Sequence, residues 1–233
     1  MTNTHAHDDG HTHGHTHEHG EEDLELLLRG QSAEAWDETY STADRRWSGQ
    51  PNQALVAEVA GLTPGTALDI GCGEGADTVW LAQQGWSVTG LDISGVALER
   101  ARAAAEAAGV QAQWIHAGLA DVELPEDGYD LVSVFYPALP KEPAGVNLIA
   151  LLGAVAPGGT LLFVGHADLD PEQMRARGYD PEDYLSIEEL QAALTRSSRW
   201  DVTVRDRRPR NVAEGSGAGH THDEILRATR SAD

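Results

Sequence analysis

One cysteine, Cys72, and one lysine, Lys141, occur among the 233 residues. A single thiol excludes an internal disulfide and fits a reducing compartment, so the expected location is cytoplasmic. Sixteen Lys and Arg stand against 38 Asp and Glu, and the formal net charge is −22. That balance argues against binding a phosphate backbone or an anionic lipid surface, and no basic face is visible. No apolar run reaches the roughly 18 residues a membrane span needs, and no signal-peptide core is present. The expected partner is a small molecule, with neither nucleic acid nor membrane. The length suffices for one α/β domain with a sizeable core.

What is present centres on Thr66 to Ser94, TALDIGCGEGADTVWLAQQGWSVTGLDIS. Ala67, Leu68 and Ile70 make a short apolar run, as expected of a strand buried on both faces of a parallel sheet. Gly71, Gly73 and Gly75 then let the backbone turn sharply and a ligand lie directly on the amides. From Ala76 the spacing is helical, with Val79, Trp80 and Ala82 on one side, up to Gly85. Ser87 to Leu91 is a second strand, and Asp92 stands at its carboxyl end, where a ribose diol would be accepted. The dinucleotide fingerprint is G-x-G-x-x-G, whereas the order here is G-x-G-x-G with Asp69 two residues ahead. An acid at that place repels a pyrophosphate and suits a ligand that carries ammonium and sulfonium groups.

Asp69-Ile70-Gly71-Cys72-Gly73-Glu74-Gly75, followed by Leu91-Asp92-Ile93-Ser94, resembles the first two motifs of class I S-adenosylmethionine-dependent methyltransferases. The resemblance implies a Rossmann-like, doubly wound α/β sheet of seven strands, mostly parallel, closed by a C-terminal antiparallel hairpin. It implies S-adenosyl-L-methionine as cofactor, held at Asp69, Gly71, Cys72, Gly73 and Gly75. Asp92 would take the ribose, and Ile93 and Leu119, with Gly118, would enclose the adenine. The family often places an Asp after the third strand to reach the adenine amino group. Here that place reads Ala117-Gly118-Leu119, so the amide of Leu119 would serve, or Asp121 on a shifted loop.

Along the chain, residues 1–20 form a histidine-rich tract expected to be disordered, since it has no means of building a core. Its alternating His11, His13, His15 and His17 would bind Ni²⁺, Zn²⁺ or Cu²⁺ to some degree. Residues 21–62 are expected to form a helical cap and 63–233 the α/β core, together one domain. The cap would hold helices at Glu21–Arg29, at Ser32–Arg46 with Trp36 and Tyr40 at i, i+4, and after Pro51-Asn52 with Leu55, Val56 and Val59 inward. Trp36, Tyr40, Trp47 and Pro51-Asn52 ahead of the glycine loop resemble small-molecule methyltransferases of the tellurite-resistance and thiopurine type. In those relatives this segment caps the cofactor pocket, which makes Trp47 and Tyr40 candidates for the substrate side.

Further on, Ser94 caps an alanine-rich helix to Ala108, closed by Gly109. Strands follow at Gln111–Ala117, around Leu131–Val134 and at Thr160–Gly165. Between the last two lie a helix, Asn147–Ala156, and a Pro157-Gly158-Gly159 turn. Tyr136 closes one strand and His166 another, at the mouth where open α/β sheets bind ligands; both are candidate catalytic residues, and Tyr136 is a candidate cofactor contact as well. Asp168–Asp183 reads as an acidic, lid-like loop, Ser186–Thr195 as a helix with a capping box, and Trp200–Val204 as a strand. After a glycine-rich loop, His220, His222, Glu224 and Leu226 would share one strand face, and His220 and His222 are candidate metal ligands.

Methyl transfer from a sulfonium needs mainly positioning and desolvation of the acceptor. No unmistakable general base stands out, which favours a soft acceptor: a thiol, or a selenium or tellurium oxyanion. Two other classes compete with a small-molecule methyltransferase. One is a non-catalytic metal-binding protein on the same scaffold, suggested by the histidines. The other is an NAD-dependent dehydrogenase, against which the loop spacing, Asp69 and the terminal hairpin all count.

Overall fold

The apolar run Thr66–Ile70 forms strand β1, with every residue after Thr66 buried. It lies parallel to β2 (Ser87–Asp92) on one side and to β4 (Tyr129–Phe135) on the other, with Ala67 opposite both Val88 and Leu131. Those two neighbours make β1 and β4 the point at which the sheet winds in opposite directions. The computed structural model describes residues 32–125, 128–176, 180–210 and 221–232. Seven strands form one sheet in the order β3-β2-β1-β4-β5-β7-β6, with β3 at Gln113–His116, β5 at Val155–His166, β6 at Trp200–Pro209 and β7 at His222–Arg230. The first five strands are parallel, whereas β7 runs antiparallel to both β5 and β6. The expected Rossmann-like sheet with a terminal hairpin is the one observed.

Helices cover both faces. On one face Leu55 and Val59 of α2 (Gln53–Val59) and Leu81 of α3 (Ala76–Gln83) pack on Ala67, Val88, Leu131 and Ile225. On the other, Leu151 of α5 (Val146–Gly153) and Leu190 and Leu194 of α7 (Ile187–Thr195) pack on Leu68, Val132, Phe163 and Leu226. Alternate residues of the central strands feed opposite cores, as a sheet covered on both sides requires. Helix α4 (Gly95–Ala108) starts from Ser94, whose hydroxyl accepts from Ala97 N at 3.1 Å, and ends at Gly109 in the left-handed region. The capping box expected for α7 is complete: Ser186 and Glu189 each accept from the other's backbone N–H.

Several boundaries differ from expectation for identifiable reasons. Helix α1 (Ala33–Ser41) stops short of Arg46, because Thr39, Ser41 and Thr42 turn their hydroxyls onto preceding carbonyls and Arg100 takes the carbonyls of Tyr40 and Ala43. Helix α5 ends at Gly153, and Pro157–Gly159 lies inside β5 as a bulge: Tyr129 pairs with Val155 and Leu131 with Thr160. Close backbone approach makes glycine necessary there, since a Cβ on Gly159 would sit 2.8 Å from the Tyr129 carbonyl oxygen. In α2, Val56 is 37% exposed and Glu58 takes a buried place, its carboxylate bound by Arg208 and Arg227. Residues 168–183 are not loop throughout, since α6 (Pro171–Ala176) starts at Asp170, whose carboxylate accepts from Glu172 N. The histidine tract, the helix expected at 21–29, the loop at 211–219 and His220 lie outside the described residues. Among the described residues no helix is long and apolar enough to cross a membrane.

Candidate active site

The loop between β1 and α3 is built on three left-handed glycines, Gly71 (φ 69°), Gly73 (φ 53°) and Gly75 (φ 81°). The N–H groups of Gly71 and Cys72 donate to the Leu91 carbonyl, and Gly73 N–H donates to Asp92 Oδ2 at 2.8 Å. Ser94 N–H donates to the other Asp92 oxygen, also at 2.8 Å. One buried carboxylate thus fixes the loop and the start of α4, and keeps lone pairs for a ligand. Nothing lies within contact of the position a Cβ would take on Gly71, which leaves the peptide there open to the cleft.

The cleft lies beyond the carboxyl ends of β1 and β2. Its floor is Ile70, Gly71, Leu91 and Asp92, and Trp36 and Tyr40 of α1 form one wall. Ile93, Ala117 and Leu119 form an apolar slot, and Pro137–Leu139 the far side. Of the residues expected at the cofactor, Gly71, Asp92, Ile93 and Leu119 therefore meet in one place, together with Tyr40. The Asp121 carboxylate folds back over Gly118, so that a Cβ there would lie 2.7 Å from Oδ2.

Beneath the loop is a group of buried acids. Asp69 is 2% exposed and accepts from the hydroxyls of Thr78 (2.7 Å) and Ser133 (3.2 Å). Asp77, in the first turn of α3, takes the backbone N–H of Asn52 on one oxygen and its Nδ2 on the other, each at 2.7 Å. Among the described residues none of Asp69, Asp77 and Asp92 has an ion-pair partner. Burial, and for Asp69 the neighbouring Asp77 charge, pushes these carboxyls up, to about 7 at Asp69 and about 6 at Asp77. Burial also raises Asp92, against the two N–H groups that hold its charged form. Burial favours the protonated, neutral carboxyls, and a cation nearby would favour the ionised forms.

Two expected contacts fall elsewhere. Cys72 turns under the loop toward β2, where a Cβ on Gly90 would come within 2.9 Å of its sulfur; burial raises its pKa and leaves it a packing residue. Trp47 stands behind the wall, donating from Nε1 to the Tyr40 hydroxyl at 3.1 Å.

Tyr136 and His166 come together at the ends of β4 and β5, their rings stacked at 4.1 Å and 12°. Tyr136 has a left-handed backbone (φ 49°), and its hydroxyl donates to Asp223 Oδ1 at 2.9 Å. The Arg210 guanidinium lies over the Tyr136 ring and 3.9 Å from Asp223. Because β7 runs antiparallel, its first residues arrive at the mouth of the parallel strands, with Asp223 opposite His166. Neither motif nor periodicity points to Asp223, Arg210, Asp77 or Glu74, since each acts through a partner far away in sequence. As for the expected metal ligands, His222 Nδ1 is 3.7 Å from Asp168, while Glu224 pairs with Arg205. Among the described residues no group of three or more His, Cys, Asp or Glu side chains is placed to hold a metal.

Residues 67–159 match a family described as a methyltransferase domain. An uncharacterized methyltransferase of Mycobacterium tuberculosis is 34% identical over 122 residues, 52% of this chain and 61% of that protein. The chain thus spans about three-fifths of the length of this relative. A solved structure that concerns the conversion of a disulfide bond into a thioacetal group during echinomycin biosynthesis is 28% identical, with a TM-score of 0.68 over 86% of this chain and 94% of the other. Magnesium protoporphyrin IX methyltransferase from Synechocystis, solved with S-adenosylhomocysteine bound, shares the fold at 19% identity, with a TM-score of 0.57 over 91% of this chain and 93% of the other. Glycine loop, strand order and relatives agree: residues 67–159 match a methyltransferase domain, and the fold is that of class I S-adenosylmethionine-dependent methyltransferases.

Proposed function

We propose that the protein transfers the methyl group of S-adenosylmethionine to a small-molecule acceptor. The observation that carries the reading is the cleft at Gly71 and Asp92, with the Asp92 carboxylate in its floor and Asp69 buried beneath the loop. The group fits: an ammonium and a sulfonium would sit against loop carbonyl oxygens in the negative field of Asp69, the ribose diol would meet Asp92, and the adenine would slide between Ile93 and Leu119. The Asp121 carboxylate over Gly118 is the candidate for the adenine amino group, in place of the acid that the loop lacks. When bound, S-adenosylmethionine supplies a methyl on a cationic sulfur, already activated for in-line displacement. The protein's part is to hold the acceptor in line and exclude water.

Tyr136 and His166 are the candidate acceptor-side residues. Burial raises the Tyr136 phenol far above its ordinary range, and its proton is directed at Asp223, so it orients rather than deprotonates. Without a phenolate base, an acceptor that is already a good nucleophile is favoured. We take sulfur as the first class to test, with selenium and tellurium oxyanions next. The disulfide-to-thioacetal conversion associated with the 28% identical structure supports that order. The net charge of −22 supports a small molecule over a nucleic acid. The one-domain division, with its N-terminal cap, is part of the same reading. A metal-binding scaffold is not favoured.

The test is release of S-adenosylhomocysteine in the presence of S-adenosylmethionine and a panel of thiols, selenite, tellurite and phenols. Turnover with thiols above phenols is expected. Turnover confined to phenols would overturn the soft-acceptor reading, and binding of the nucleoside with no turnover on any acceptor would count against the activity.

A further inference from the structure

Glu74 sits between the second and third glycines of the loop, yet its side chain points away from the cleft and is 9% exposed. Its carboxylate collects the backbone N–H groups of Arg46 (3.1 Å) and Trp47 (2.9 Å) and the Arg100 guanidinium (2.8 Å). Arg100 in turn donates to the Tyr40 and Ala43 carbonyls at 2.7 and 2.6 Å, bracing the end of α1. Trp47 carries the link onward through its indole to the Tyr40 hydroxyl. That hydroxyl would stand 2.8 Å from a Cβ on Gly73, so the loop rests directly on the aromatic wall. Midway along α1, Asp37 Oδ1 accepts from the Ser94 hydroxyl at 2.6 Å and from Val96 N. Ser94 N–H closes the circuit on Asp92. The cleft is thus rimmed by a hydrogen-bonded ring that runs from Asp92 to Gly73, through Glu74, Trp47 and Tyr40, down α1 to Asp37 and back through Ser94.

A carboxylate drawn back from solvent onto three donors holds those donors in one arrangement. Glu74 touches no part of the cleft itself. Its partners are the two elements that must sit correctly for Trp36 and Tyr40 to cover a ligand on the loop. We propose that Glu74 is a positioning residue that makes closure of residues 36–47 and ordering of the glycine loop a single event, and so governs how long the cofactor stays bound. The inference rests on the methyltransferase reading, since the bound nucleoside is what the ring encloses.

The experiment compares wild type, Glu74→Gln and Arg100→Lys in the full chain. S-adenosylhomocysteine affinity and dissociation rate are followed by tryptophan fluorescence, with Trp36 in the wall as reporter, and amide hydrogen exchange is followed over residues 32–50. Arg100→Lys leaves Glu74 its two backbone donors, and so keeps the question open to measurement if Glu74→Gln does not fold. The expected result is dissociation faster by roughly ten- to a hundredfold in Glu74→Gln, as for a lost charged hydrogen-bond set, with a smaller effect in Arg100→Lys. Ligand-induced protection of the Arg46 and Trp47 amides is lost in parallel. A purely structural role would lower the melting temperature but leave the dissociation rate of the folded fraction unchanged, and that result overturns the proposal while sparing the methyltransferase reading. Failure of the wild type to bind the nucleoside would remove both.

Discussion

Asp69 and Asp77 lie under the glycine loop with hydrogen bonds but, among the described residues, no cationic partner, and burial holds both protons more tightly than the ordinary carboxylate value of 3.8. A folded-state pKa above the unfolded one means that the native protein binds more protons between the two values. Its contribution to stability is therefore greatest on the acid side and is lost as pH rises from about 4 to about 7. A cationic ligand reverses the balance by favouring the ionised pair. Cofactor affinity should rise as pH increases through about 6 to 7, and binding near pH 6 should release a proton. Calorimetry in two buffers of different ionisation enthalpy checks this: heats that differ between buffers are expected, and identical heats with a flat pH profile would contradict the assignment. Motif reading locates Asp69 and Asp92 but not Asp77. The apolar spacing of α3 points to Val79, Trp80 and Ala82, whereas the helix turns Asp77, Thr78 and Leu81 inward. Polar residues face the interior there because the helix starts against a functional site, and hydrophobic periodicity does not register that.

Among the elements, α3 and α4 meet most tightly at Gly75. A Cβ there would lie 2.8 Å from Ala101 Cβ and 3.1 Å from its Cα, and the left-handed φ of 81° adds strain for any other residue. Gly75→Ala should therefore destabilise by about 2–4 kcal/mol, combining overpacking with the backbone cost. Denaturant unfolding would show it as a lower midpoint at an unchanged slope. Gly71→Ala meets no side chain and should cost only the backbone strain, about 1–2 kcal/mol, so comparable losses for the two would contradict the packing argument. The β1–α3–β2 unit and the α7 capping box are legible in the sequence because each is local: a strand period, a turn residue, a helix start. The bulge at Pro157–Gly159 reads instead as a turn, because the feature that makes it a strand is the backbone of Tyr129, about thirty residues earlier in the chain. Asp223 is invisible for a related reason, since only antiparallel pairing of β7 with β5 brings it to Tyr136.

For the molecule as a whole, residues 32–52 are tied to the α/β core by polar anchors. Asp37, Glu74 and Asp77 fix the segment to α4, the loop and α3, and in α2 Glu58 takes Arg208 and Arg227 of the hairpin. A ligand that fills the cleft should then stabilise the entire fold. At S-adenosylhomocysteine concentrations about a hundredfold above Kd, mass action adds ~2.7 kcal/mol. For a chain of this size that raises Tm by roughly 5–10 °C. The comparison needs only a thermal melt with and without the nucleoside, and an unshifted Tm at saturation would contradict it.

The central claim is that the cleft at Gly71 and Asp92 binds S-adenosylmethionine. Calorimetric titration with S-adenosylmethionine and S-adenosylhomocysteine, on wild type and Asp92→Ala, tests it most directly. Binding of both nucleosides by the wild type is predicted, weakened by ~1–3 kcal/mol when the carboxylate proposed to take the ribose is removed. Absence of binding by a folded wild type, or affinity indifferent to Asp92, would contradict the claim.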